Sequence, residues 1–89
     1  MNSKELKESL RGIPLDEKLS LNFQVEAGLL VRGQVRRYWE QIFFKYDIPM
    51  RIIESKSTLS STFYFKGDNL TVKQALYVVG AYEIMEEFV

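Results

Sequence analysis

The chain has 89 residues, 12 of them aromatic, and contains neither histidine nor cysteine. Without His it lacks the usual general acid/base and the commonest metal ligand, and without Cys it lacks thiol nucleophiles, thiolate metal sites and disulfides. Twelve Lys and Arg balance twelve Asp and Glu, so no global field steers the chain to nucleic acid or to a membrane.

This length predicts one domain. A chain so short buries only about 60–65 % of the surface its unfolded form exposes, so it must rely on packing or on a partner. No apolar run reaches about 18 residues, and no membrane span or membrane partner is expected. The N-terminal Asn2-Ser3-Lys4-Glu5 lacks the apolar stretch of a signal peptide, and the missing cysteines suit the cytoplasm. The charge is uneven along the chain: residues 1–31 carry net −1, residues 32–56 net +3 and residues 57–89 net −2. Such a pattern is either an ordinary mixed surface or a basic middle element able to meet an acidic C-terminal end of another copy, or an acidic partner.

A short helix is expected over residues 1–12, capped by Ser3, with Leu6 and Leu10 on one face and Gly12 and Pro14 as stops. Residues 19–26 alternate apolar and polar for four periods, the pattern of a strand with one buried face. The spacing then turns helical, through Val31, Val35, Tyr38, Trp39, Ile42, Phe43 and Tyr46, which predicts a helix over 29–47 ended by Pro49. Residues 29–33 could instead pair back on the first strand and delay the helix to Gln34. The spacing of Val31 and Val35 favours the earlier start.

Residues 50–54 and 58–66 read as a hairpin joined across Ser55-Lys56-Ser57, and Gly67-Asp68-Asn69 closes the second strand. Thr71 and Gln74 fit a capping box at the start of a helix over 72–88. The expected fold is a small α+β domain of order α-β-α-β-β-α, with a short, mainly antiparallel sheet packed against helices.

Function points to binding rather than chemistry. Trp, Tyr, Phe and Arg tend to carry binding energy at interfaces. The acids form no metal or general-acid motif, no glycine-rich phosphate loop exists, and the Ser/Thr run from Ser55 to Thr62 has no neighbouring base. The chain is therefore expected to be non-catalytic and free of cofactor and metal.

On the helical wheel of the second helix, at about 100° per residue, Arg36, Arg37, Glu40 and Phe44 fall opposite the apolar sector. They are the candidate partner-binding patch, with Phe44 as an aromatic anchor beside guanidinium groups. The last helix has two apolar sides, Val78, Ala81, Tyr82, Met85 and Phe88 on one and Val72, Leu76 and Val79 nearer the other. Either the N-terminal helix or another chain covers the second stripe. Val72, Leu76, Val79 and Glu83 are therefore a candidate oligomer interface. Glu83, Glu86 and Glu87 run against the helix dipole, which makes a basic partner attractive.

These features predict a soluble protein–protein interaction module, a homodimer or higher oligomer acting as an adaptor or inhibitor. The alternative is a nucleic-acid-binding domain using Arg32, Arg36, Arg37, Lys45 and Arg51, interleaved with Tyr38 and Trp39. Against it, both aromatics sit in the expected core sector and Glu40, Asp47 and Glu54 dilute the charge.

Overall fold

Alternation along the second element builds the floor of the core. A computed structural model describes residues 2–88. Met1 and the side chain of Phe88, which the expectations above include, lie outside the described set. Strand β1 (Lys18–Gly28) buries Leu21, Phe23, Val25 and Ala27 and exposes Asn22, Gln24 and Glu26. It pairs antiparallel with β3 (Ser60–Thr71), which pairs antiparallel with β2 (Met50–Lys56), so the strand order is β1-β3-β2. β3 is central, and its Phe63 and Phe65 are buried.

Helices α2 (Arg32–Lys45) and α3 (Val72–Phe88) lie on the sheet, and α1 (Ser3–Ser9) packs on α3. The molecule is a small α+β domain of order α-β-α-β-β-α, with its sheet packed against helices.

Trp39 is the centre of the core, at 0 % exposure. Its ring lies 5.0 Å from Phe65 and 5.6 Å from both Phe23 and Phe43, centroid to centroid. The contacts are edge-on or tilted, as aromatic quadrupoles favour. The indole Nε1 donates to Met85 Sδ at 3.1 Å, so this buried polar atom has a partner.

Local chemistry explains the element ends. The Thr71 hydroxyl accepts from the Gln74 amide at 3.1 Å, and Gln74 Oε1 accepts from the Thr71 amide at 2.9 Å, a reciprocal capping box. Helix α2 ends at Tyr46, before proline acts. Asp47 turns left-handed at φ 52°, its amide donates to Phe44 O, and the Ile48 amide donates to Phe43 O at 2.8 Å. This is a Schellman closure with Asp in the position glycine usually takes.

Several boundaries differ from the expected ones: α1 stops at Ser9, β1 runs on to Gly28, β2 runs on to Lys56 and β3 starts at Ser60, and three further differences have a visible cause. Asn2 rather than Ser3 caps α1, its Oδ1 accepting from the Glu5 amide at 2.9 Å, because the Ser3 hydroxyl donates to a Glu86 carboxylate oxygen. Helix α2 begins at Arg32, since the Leu29 amide donates to Leu59 O and the Val31 amide to Gly28 O, which makes residues 29–31 a turn. β3 runs past Gly67 to Thr71. Leu21 faces Gly67 and Leu19 faces Leu70, so β3 fits two residues opposite one, a bulge that Asn69 completes at φ 58°. Gly67 must stay small, because a Cβ there would lie 2.6 Å from Leu70 Cδ1 and 2.8 Å from Met50 Cγ.

Candidate functional site

The four residues expected on the outer side of α2 separate into two groups. Arg36 turns toward the sheet edge, where its Nη1 lies 3.0 Å from Glu54 Oε1 and its Nε 3.7 Å from Glu40 Oε2. Glu54 points inward from the edge strand β2, its side chain 10 % exposed. Its second oxygen accepts from the buried Ser61 hydroxyl at 2.8 Å. That hydrogen bond, with Arg36 and Lys56, holds the Glu54 carboxyl below its ordinary pKa, against the opposing effect of burial. Arg36 is therefore committed to closing the fold. An inward charge on an edge strand also discourages unwanted pairing. Arg37, Glu40 and Phe44 remain exposed on one side, with Phe44 at 89 %.

The expected stripe on the last helix is not one surface. Val72 and Val79 are 1 % and 2 % exposed. Glu83 lies 3.5 Å from Lys7 of the same chain. Helix α1 covers the C-terminal part of α3: Leu6 and Leu10 enter the core with Val79, and Ser3 and Lys7 meet Glu86 and Glu83, while Val72 donates its amide to Glu17 O at 3.2 Å. Of the expected residues only Leu76 is left open. Two of the three carboxylates that run against the α3 dipole, Glu83 and Glu86, thus meet partners on α1.

Beside Leu76 lies a surface that the wheel did not single out. Helices α2 and α3 meet along Tyr38, whose hydroxyl donates to Ala81 O at 2.6 Å, and along Tyr46 and Tyr77, whose rings stack at 4.3 Å and 11°. Burial pushes the Tyr38 phenol above its ordinary pKa, so it stays a donor. Between these contacts runs a shallow groove lined mainly by Tyr38, Ile42, Tyr46, Leu76, Tyr77 and Ile84, with Gly80 in its wall. Leu76, Tyr77 and Ile84 are exposed. The sequence signal was present: residues 76, 77, 80 and 84 recur at three, four, seven and eight along a third side of the helix. It was hidden because nearly the whole helix is apolar.

The groove is about 240 Å³ in volume. Small-molecule sites are usually enclosed and larger, roughly 300–1,000 Å³. An open, ridged trough between two helices suits side chains from another helix. A Cβ on Gly80 would meet no atom within 4 Å, so this glycine leaves room on the solvent side of α3.

Of the cations of the nucleic-acid alternative, Arg32, Arg36 and Arg37 border one depression with Lys56, while Lys45 and Arg51 lie elsewhere. Arg32 Nη1 donates to Ser57 O at 2.9 Å and Ser60 O at 3.3 Å, and Arg36 is held by Glu54. Arg51 stands across from Lys66 on the sheet. Lys45 sits over the Tyr46 ring at 5.4 Å, about 20 Å along α2 from Arg32 at helical rise. Trp39 is buried and offers no stacking face. Among the described residues, no three His, Cys, Asp or Glu side chains gather closely enough to hold a metal ion, and no helix is long and apolar enough to cross a membrane. Compared with protein-family models, curated proteins and solved structures, the chain matches none.

Proposed function

We propose that this protein is a non-catalytic protein-binding module, an adaptor or inhibitor that acts by contact, and that it docks an amphipathic helix in the groove between α2 and α3. The observation that carries this is the run of exposed Leu76, Tyr77 and Ile84 beside half-buried Tyr38, Ile42 and Tyr46. Water-exposed apolar side chains lining a continuous trough are the common signature of a docking surface. The Tyr46 and Tyr77 rings already stack on each other, which lowers the side-chain ordering that a partner must impose.

A second copy of the chain is the first partner to consider. Its own α3 presents Ile84 and Leu76 on an outward side, and a two-fold axis would let each copy's ridge enter the other's groove. Light scattering at tens of micromolar tests this. More than one chain per particle is expected for the wild type, and Ile84→Glu is expected to return it to one. A wild type that stays single at every accessible concentration, or an Ile84→Glu variant that associates as before, contradicts self-docking through this groove.

A further inference from the structure

The end of the molecule formed by two turns carries a different surface. Eleven extended residues of β1 span about 36 Å, so the strands lie along the 42 Å dimension of the 42 × 22 × 18 Å molecule. The turn after β1 and the turn between β2 and β3 therefore share one end of the long axis. They are tied together: the Leu29 amide donates to Leu59 O at 2.8 Å, and Arg32 reaches the carbonyls of Ser57 and Ser60.

At this end Leu30 is 92 % exposed and Leu59 75 % exposed, with Leu29 and Val31 exposed beside them. Side chains so open stand out from the surface rather than packing against it. Leu29, Leu30, Arg32, Arg37 and Lys56 border one shallow depression. No carboxylate occurs in residues 27–39 or 55–67. Glu54 at the depression's edge is already bound to Arg36 and Ser61.

We propose that these paired turns are a reversible contact site for an anionic lipid surface. Leu30 and Leu59 enter the boundary between headgroups and acyl chains, and Arg37 and Lys56 face the lipid phosphates. Interfacial binding grows with inserted apolar area and with attraction to anionic lipids, and both are present at this end. Long basic side chains keep their charge at headgroup level while their stems follow the apolar residues inward. A protein partner fits less well, because interface hot spots favour aromatic residues in pockets and leucine is under-represented there. The expectation of no membrane partner rested on neutral net charge and the lack of an apolar span, and neither bears on a local tip.

Co-sedimentation of the full chain with vesicles tests the site. Phosphatidylcholine vesicles containing phosphatidylserine are expected to bind it about tenfold or more tightly than phosphatidylcholine alone. The double substitution Leu30→Ser with Leu59→Ser is expected to lose about tenfold or more of that binding. Leu30→Trp supplies an independent signal over the constant background of buried Trp39: its emission should shift to the blue with phosphatidylserine vesicles. The proposal is overturned by a wild type that binds neither vesicle, by a double variant that binds as before, or by an unshifted Leu30→Trp. It is equally overturned if the double variant changes the particle mass without lipid, which would make the tip a protein interface.

Discussion

The two sides of α3 treat apolar surface in opposite ways. One side carries Val79 and Tyr82 and is closed: they share the core with Leu6 of α1 and with Leu10 at its end, and Ser3 and Lys7 take the carboxylates of Glu86 and Glu83. The other side carries Leu76, Tyr77 and Ile84 and is left open beside α2. The chain thus has the means to cover apolar helix surface and uses it on one side only. The polar border of α2 makes the same point, because there Arg36, Glu54 and Ser61 close the joint to β2. What remains uncovered is the surface we assign to binding.

The comparison breaks first, and most visibly, on the closed side. Leu6→Ala is expected to cost about 2–5 kcal/mol, the usual range for truncating a buried leucine. Chemical denaturation measures it, and association per folded molecule should be unchanged. A loss below about 0.5 kcal/mol would mean that α1 is a surface appendage rather than a cover.

The polar joint comes next. Glu54→Gln should cost about 1.5–3 kcal/mol, the range for hydrogen bonds to a charged group. The joint also has a pH signature. The Glu54 pKa is lowered by folding, first by the Ser61 hydroxyl and then by Arg36. Its contribution is therefore fully present above the ordinary carboxylate range and is lost as pH falls through the lowered native value. Stability measured through the acid range should fall less steeply in Glu54→Gln than in the wild type. Equal slopes would show that Glu54 contributes no linked protons.

On the open side the expected stability effects are small and reversed in sign. Gly80→Ala should stabilise the fold by about 0.5–1 kcal/mol, since glycine is a poor residue inside a helix and the new methyl meets nothing. The same methyl narrows the approach of a docked helix, so association should weaken. Thermal melts with light scattering on one sample check both halves. A destabilised Gly80→Ala would mean that the wall of the groove is already filled.

Much of this fold was legible in the residues. The alternation through Phe23 and Val25 is local, and so is the capping chemistry of Thr71 and Gln74, because each depends on neighbours a few positions away. Trp39 was legible as core because four apolar residues share its sector. The candidate site was less legible, for physical reasons. Arg36 and Phe44 lie on the same outer half of the wheel, but only the distant Glu54 decides that Arg36 turns inward. Val72 and Leu76 are one turn apart, and only tertiary packing decides that the first is covered and the second open. The closure at Asp47 needs a left-handed residue that glycine would have advertised and aspartate does not. A helix that is apolar nearly all round cannot say from its own spacing which side is left over.

The most direct test of the central assignment uses the chain's lack of cysteine. Ile84→Cys and Phe44→Cys each place a single thiol, one at the α2/α3 groove and one on the outer side of α2. The alkylation rate of each is followed from dilute protein to tens of micromolar. If the groove is the docking surface, the thiol at position 84 slows by about tenfold or more on association, as expected for a residue buried at an interface centre, while the thiol at position 44 reacts at an unchanged rate. Protection at position 44 with position 84 still freely reactive would contradict the account and move the interface to Arg37, Glu40 and Phe44.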